Sequence, residues 1–331
     1  MPTISLTAKN YRGTYVSFNT TAPVLLEVSW LELMTASLTL GFQKWPEVAT
    51  TGFPFWFHRM GLGMSATAYL REDSSSWHLD PAYASLDLSE KAAMSYWQGM
   101  IFCKIAAARH LDVPWLANVD DMRSKGQLRT SGTTKSRGDL VGRDRADAYH
   151  VIEAKGRSQR VEAGLIEHAK DQAAAISSIN GSTPSTTSAC ISKLWKCPIE
   201  VLLDDPPTDG DDKIKLSFKE ESLWSWYYYG IINYIQENSV RPQQKWWLSK
   251  VDKPSGYLWA ILSDWPQAPW RFLLAPHFEG SFWAIGLPTR VVETPSAARE
   301  YTFSNNNTAH SSDNKSLFVA SDHVALLRAD F

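Results

Sequence analysis

The chain has 331 residues, of which 44% are hydrophobic and 21% are charged, and its formal net charge is −2 at pH 7. This composition is typical of a globular protein with a sizeable core, and the charge gives no overall attraction to a polyanion, so contact with nucleic acid would need a local basic patch. The three cysteines lack the spacing of a disulfide framework or a zinc site, which favours a reducing compartment.

The N-terminal sequence MPTISLTAKNYRGTYVSF has no basic segment followed by an apolar one, so no signal peptide is predicted. No stretch reaches about 18 uninterrupted apolar residues, so no membrane span is predicted. The sequence therefore predicts a cytoplasmic protein without a membrane partner.

The first part of the chain, residues 1–85, consists of short β-like runs without a motif, and predicts an N-terminal layer or subdomain of unknown role. A long helix is predicted over 87–110, because apolar side chains from Met94 to Ala108 recur at i, i+3 and i+4 spacing. Asp87 and Glu90 have the spacing of a capping box at its start. Residues 113–119, VPWLANV, then predict a buried strand.

Residues 122–160 are strongly basic, with ten lysines or arginines against four acidic residues, a local charge of +6 (10 − 4). Part of this run, residues 123–137, is equally typical of a solvated loop. Two apolar segments, GDLVG and AYHVIEAKG, are joined by a turn-like RDRADA and predict a strand pair. A helix over 160–179 and two further strands, in SACIS and CPIEVLLDD, follow.

This order of elements predicts an α/β core, residues 86–215, with a mixed sheet flanked by helices. Residues 216–331 form a predicted C-terminal domain or extension that is rich in tryptophan, with eight of the fifteen tryptophans between 224 and 283. Core packing together with a partner surface explains these residues better than stacking on nucleic-acid bases, although both uses are open.

The segment IEAKG has two interpretations. Glu-Ala-Lys is a good helix-forming triplet, but the preceding Tyr, Val and Ile favour a strand, and Gly156 interrupts a helix. In a strand, the period of two puts Glu153 and Lys155 on one face. Opposite charges at the end of a half-buried strand are costly unless they are paired or bind a metal.

The strand interpretation places Asp139 on the neighbouring strand, close to Glu153. Two carboxylates and the carbonyl of Ala154 are the hard oxygen ligands that Mg²⁺ prefers, with water completing the shell. Lys155 beside them is suited to orient a water molecule and to offset charge on a phosphate. These are the parts that metal-assisted phosphodiester hydrolysis needs.

GDLVG followed by YHVIEAKGRS resembles the signature of the restriction-endonuclease-like PD-(D/E)XK nuclease superfamily. The resemblance covers residues 87–206 and implies a restriction-endonuclease-like fold, with Asp139 and Glu153 as metal ligands and Lys155 as the catalytic lysine. The proline that precedes the aspartate in that family is Gly138 here. The resemblance further implies a Mg²⁺-dependent nuclease, with Mn²⁺ as a substitute, that acts on DNA rather than RNA in prokaryotic defence or DNA processing.

Two polar residues on the flanking helices are further candidates. Gln172 shares the apolar face of the second helix, where it is either a catalytic residue or a core glutamine bonded to backbone. Glu90 lies on the inward stripe of the first helix, where it is either an additional metal ligand or only the cap.

Four residues are candidate nucleic-acid contacts: Arg137, Arg143, Arg157 and Ser158. The alternative for the last two is a surface arginine and a turn serine. The partners expected are nucleic acid, and either a second protein or a second copy of the chain. A different class of function is also open, namely a non-catalytic nucleic-acid-binding or scaffold subunit that uses the same fold.

Overall fold

The computed structural model of the protein describes residues 1–40, 52–73, 75–124, 129–131, 138–160, 163–205, 214–240, 248, 254–261, 281–300, 308–312 and 315–330. The chain divides into two compact units, the first within residues 1–45 and 57–227 and the second within residues 46–56 and 228–331. The predicted division near residue 85 thus falls inside the first unit.

The N-terminal part of the first unit contributes strands β1 to β4, helix α1 and, from residue 57 onward, helix α2. Their bounds are β1 Thr3–Lys9, β2 Val24–Glu27, α1 Trp30–Thr39, α2 Gly52–Ala68, β3 Leu70–Asp73 and β4 Ser76–Leu79. Short 3₁₀ helices lie at Gly13–Phe18 and Pro81–Ser85. These strands belong to the main sheet, because β1 pairs in parallel with a strand some two hundred residues later in the chain.

The remaining elements of the first unit follow in chain order. They are α3 Leu88–His110, β5 Trp115–Asn118, α4 Val119–Ser124, β6 Arg129–Ser131, β7 Leu140–Arg143, β8 Tyr149–Arg157, α5 Ala163–Ala174, β9 Ile176–Ile179, β10 Thr186–Lys193, β11 Glu200–Asp204 and β12 Ile214–Ser217. Helix α6, Glu220–Asn238, comes next, and the boundary between the two units falls within it, after residue 227.

The predicted helix over 87–110 and its cap are confirmed. The Asp87 side chain accepts a hydrogen bond from the backbone N–H of Glu90, and the Glu90 carboxylate accepts one from the N–H of Asp87. The prediction of a helix up to residue 179 is wrong at its end, because Ile176–Ile179 forms β9, which pairs in parallel with β12. Isoleucine favours strands and serine is a weak helix former, which explains this early end of α5.

The main sheet is mixed and has the strand order β3-β4-β1-β11-β10-β8-β7-β5, with β2 paired to β1. Strands β8 and β10 are parallel, whereas β7 and β8 are antiparallel. The sequence prediction of an α/β fold with a mixed sheet flanked by helices is confirmed. A smaller sheet has the order β6-β12-β9.

Helices α3 and α5 cover opposite faces of the sheet at β8. Ile152 and Ala154 belong to the apolar cluster that also contains the α3 residues Met100 and Ile101. On the other face, Ala169 of α5 packs on Ala189 and other residues of β10 and β11. Since neighbouring residues of a strand point to opposite faces, Glu153 and Lys155 lie on the α5 side.

The second unit contains an antiparallel sheet with the order β13-β14-β15-β18-β17-β16. Its strands and one further helix are β13 Ser239–Val240, β14 Tyr257–Ile261, β15 Ser281–Pro288, α7 Thr289–Glu293, β16 Thr308–Ser312, β17 Lys315–Val319 and β18 Ala325–Asp330. Trp259 is buried in the core of this unit, as core packing of the tryptophans predicts. No helix in the described ranges is long and apolar enough to cross a membrane.

Candidate active site

The β7–β8 hairpin brings Asp139 and Glu153 together. Its ladder pairs Leu140 with Ile152, and the next position outward sets Asp139 opposite Glu153, because antiparallel partners advance in opposite directions. The backbone N–H of Asp139 donates to Glu153 Oε2 at 3.0 Å. Two residues that are fourteen positions apart in the sequence are thereby joined by a direct hydrogen bond.

The turn of this hairpin is held by Asp144. Its backbone N–H donates to the carbonyl of Ala148 at 3.0 Å, and its Oδ1 accepts from the N–H of Ala148 at 2.7 Å. Asp147 within the turn has a φ of 68°, a conformation that aspartate adopts more readily than most residues. The turn therefore fixes the register that aligns the two carboxylates.

Strand β8 resolves the two interpretations of IEAKG in favour of a strand. Glu153 is fully buried, and Lys155 on the same face keeps 20% of its side chain exposed. The Lys155 ammonium donates to Glu153 Oε1, and the backbone N–H of Ala154 donates to Asp139 Oδ2 at 3.2 Å. Asp139, Glu153 and Lys155 thus form one contiguous cluster.

Burial raises the pKa of Glu153 from its ordinary value of 4.5 to about 8. The carboxylate of Asp139 acts in the same direction, because two nearby negative charges disfavour each other. Lys155 opposes both effects but does not cancel them. A divalent cation at this position would favour the ionised form and release the proton, as metal binding to a protonated ligand does.

The raised pKa of Glu153 predicts that the metal-free protein loses stability as the pH rises from about 5 to 8. The folded protein then holds a proton that the unfolded chain has released, so the free energy of unfolding falls by up to about 1.4 kcal/mol per pH unit. Urea unfolding in EDTA should show this slope, and Glu153→Gln should remove its part between about pH 6 and 8. Asp205, whose pKa burial raises to about 6, contributes equally to both proteins. Parallel curves for the two proteins would contradict the assignment.

The cluster has the donor set that a Mg²⁺ ion requires. Mg²⁺ in proteins is commonly bound by one or two carboxylates, with waters and substrate phosphates as the other ligands. The backbone N–H of Ala154 points toward Asp139. Ala154 lies two residues after Ile152, which belongs to the last pair of the β7–β8 ladder. The carbonyl of the same residue points to that side too. The residues predicted as ligands from this hairpin therefore fit the ion.

Gly138, which replaces the expected proline, stands where there is little room for a side chain. A Cβ atom at this position would lie 2.6 Å from Cγ1 of the buried Val151 and 3.6 Å from the Cα atom of Ala173 on α5. Carbon atoms normally approach to about 3.5–4.0 Å. Glycine therefore fits at this position, where a side chain would crowd β8.

Gln172 lies on α5, next in sequence to Ala173, whose Cα atom lies near Gly138. Its Oε1 atom is buried and has no hydrogen-bond partner in the described part of the chain. A buried amide oxygen without a partner is costly, so this atom is suited to accept a hydrogen bond from a water molecule.

Glu90 is not brought to the cluster. Its exposed side chain caps α3, and α3 covers the face of β8 opposite to Glu153. Across the described ranges, no group of three or more His, Cys, Asp or Glu side chains is placed to hold a metal ion. The structure thus supports the capping role of Glu90 over the predicted role as a ligand.

The four predicted nucleic-acid contacts have different positions. Arg143 is buried, its guanidinium lies 5.1 Å from the centre of the Tyr149 ring, and it pairs with Asp147 at 3.2 Å. These contacts make it a structural residue of the hairpin rather than a phosphate contact. Arg157 and Ser158 are half-buried at the end of β8, and Arg137 lies outside the described residues.

The contact that sets α3 against β8 was not predicted from the sequence. A Cβ on Gly99 would lie 2.3 Å from the backbone nitrogen of Gly156, and a Cβ on Gly156 would lie 1.7 Å from the carbonyl oxygen of Ser95. Both glycines therefore permit a backbone approach that no other residue allows. The signal was a glycine in the interior of a predicted helix, where it is otherwise unfavourable.

His150, which the sequence places on the other face of β8, is fully buried there. Its ring nitrogens contact Thr186 Oγ1 at 2.9 Å and Asp144 Oδ2 at 3.1 Å. This polar group is separated from the Glu153 side by the sheet itself.

Comparison of the chain with protein-family models, with curated proteins and with solved structures found no match.

Proposed function

We propose that the protein is a metal-dependent nuclease of the PD-(D/E)XK type, with a restriction-endonuclease-like core, that hydrolyses phosphodiester bonds in DNA. The observation that supports it is the cluster at the β7–β8 hairpin. It joins a buried carboxylate, a second carboxylate in register with it and a partly exposed lysine within direct hydrogen-bond distance.

In the proposed reaction, Asp139, Glu153 and the carbonyl of Ala154 would hold Mg²⁺, or Mn²⁺ in its place. The ion would neutralise charge on the phosphate oxygens and lower the pKa of a bound water. Lys155 projects from the same face as Glu153, so its ammonium orients the attacking water and offsets the charge that develops on the phosphate. Gln172 accepts a hydrogen bond from water at the side of α5.

Glu153 and Lys155 differ in solvent exposure, and this difference suits their proposed roles. Glu153 is fully buried, which strengthens its attraction to a cation because little water competes. Lys155 retains exposure on the same face, so a substrate phosphate can reach it. A buried acid beside an accessible cation is the arrangement that phosphoryl chemistry needs.

Removal of a ligand provides the first test. Linear, circular and single-stranded DNA, with RNA as the comparison, would be incubated with the protein in Mg²⁺, in Mn²⁺ and in EDTA. We expect cleavage only with a divalent ion, and we expect Asp139→Ala to reduce it to the level seen in EDTA, because one of the two carboxylate ligands is lost. Thermal unfolding of the variant checks that the hairpin still folds.

A wild-type protein that binds DNA in a salt-dependent way but cleaves none of these substrates would contradict the proposal. It would favour the non-catalytic alternative, a nucleic-acid-binding subunit. Cleavage that continues unchanged in EDTA or in Asp139→Ala would move the chemistry away from this cluster.

A further inference from the structure

The ends of β8 and β10 form a basic edge next to the candidate active site. Arg157 and Lys193 are register partners in these parallel strands, so their side chains lie on the same face of the sheet. Glu153 and Lys155 share that face, because they lie four and two residues before Arg157 in the same strand. The face of the sheet that carries Glu153 and Lys155 therefore also carries Arg157 and Lys193 at the ends of the two strands.

Further cations follow in the segments that leave the two strands. Arg160 is exposed after β8, and Lys196 is exposed in the turn after β10. Trp195, half-buried, stands in the same turn. We use the name basic edge for Arg157, Arg160, Lys193, Trp195 and Lys196.

The charge of the basic edge is only partly compensated. Lys193 pairs with Glu200 of β11. Arg157 donates to the carbonyl of Gly156 at 2.9 Å, and no carboxylate among the described residues pairs with it. A concentration of cations with few counter-charges attracts a polyanion.

We propose that the basic edge binds the phosphate backbone of the nucleic-acid strand beside the phosphate that faces Lys155. The proposal rests on the proposed function, which places the strand over Glu153 and Lys155. Same-face side chains of a strand are about 6.6 Å apart, so Arg157 follows Lys155 at a spacing suited to a neighbouring phosphate. Trp195 offers an aromatic ring on which an adjacent base stacks, as in proteins that bind single strands without sequence preference.

The test is binding of a fluorescein-labelled single-stranded DNA in EDTA, followed by anisotropy at several salt concentrations. Arg157→Ala and Lys193→Ala should each weaken binding about 3- to 10-fold and reduce the slope of log K against log salt by about 0.7, because one phosphate contact is lost. Trp195→Ala should weaken binding and leave the slope unchanged, because stacking does not release counterions.

Glu200→Gln is a variant for which the opposite change in DNA affinity is expected. It removes the carboxylate that competes for Lys193, so the affinity for DNA should rise, a result that a partly unfolded protein would not give. Lys215→Ala is the matched control, since Lys215 is an exposed lysine of the smaller sheet and its loss should leave both affinity and slope unchanged. An RNA of the same sequence distinguishes backbone binding from binding that depends on the sugar.

Unchanged slopes in Arg157→Ala and Lys193→Ala, or weaker binding in Glu200→Gln, would overturn the basic edge. If wild type then still cleaves DNA in Mg²⁺, the proposed function stands alone. Conversely, reduced slopes in a protein that cleaves nothing would support the basic edge and reject the nuclease.

Discussion

Lys155→Ala is expected to lower the rate of DNA cleavage by a factor of about 10² to 10⁴, the range typical of a positioned group that assists proton transfer. Lys155 is the only residue of the cluster that combines a positive charge with direct contact to Glu153. Without it, neither the attacking water nor the phosphate has a fixed cation from the protein. Initial rates in saturating Mg²⁺ would measure the loss.

The fold should tolerate this change. The side chain of Lys155 is 20% exposed, and Glu153, with a pKa of about 8 in the metal-free protein, can remain protonated at neutral pH. We therefore expect an unfolding temperature close to that of wild type. Lys215→Ala again provides a lysine-to-alanine control that should cleave normally. Wild-type rates in Lys155→Ala would remove this residue from the mechanism.

Gly156→Ala is expected to destabilise the first unit by about 3 kcal/mol or more, at the upper end of the range for overpacked cores. The added Cβ would lie 1.7 Å from the carbonyl oxygen of Ser95. Neither atom can move alone, because one belongs to the backbone of α3 and the other to the central strand β8. Urea unfolding at fixed pH would measure the loss of free energy.

A second glycine provides the matched control for this substitution. Gly164 in α5 has no atom within 4 Å of an added Cβ, so Gly164→Ala should stabilise the protein by about 0.4–1 kcal/mol. If Gly156→Ala were as stable as wild type, α3 and β8 could not be packed as closely as described. The displacement of β8 should also reduce cleavage, since Lys155 is the preceding residue.

Helix α3 and strand β8 were predictable, because local sequence patterns encode them. The apolar stripe and capping box of α3 and the strand formers around Glu153 depend on neighbours within a few residues, and these elements lie where the sequence places them. The juxtaposition of Asp139 and Glu153 also followed, because a short hairpin leaves few choices of register.

Features that depend on distant contacts were not predictable. Nothing in residues 3–9 specifies that β1 pairs with residues 200–204. The charge of Arg143 suggested a surface contact, yet its guanidinium lies over the Tyr149 ring and pairs with Asp147. The sequence position of Glu90 fits both a helix cap and an additional metal ligand. Only the packing of α3 on the face of β8 opposite Glu153 decides for the cap.

The position of β1 in the sheet has a consequence for how the chain folds. Ser5 and Leu6 pair with β2 and also with β11, so β1 has one edge that finds its partner about twenty residues later and another whose partner lies nearly two hundred residues away. Structures dominated by such distant pairings fold slowly. During synthesis, the β1–β2 hairpin can form early, but its second edge stays open to other chains until residues 200–204 have left the ribosome. The interval before β11 emerges is thus when this protein is most exposed to aggregation.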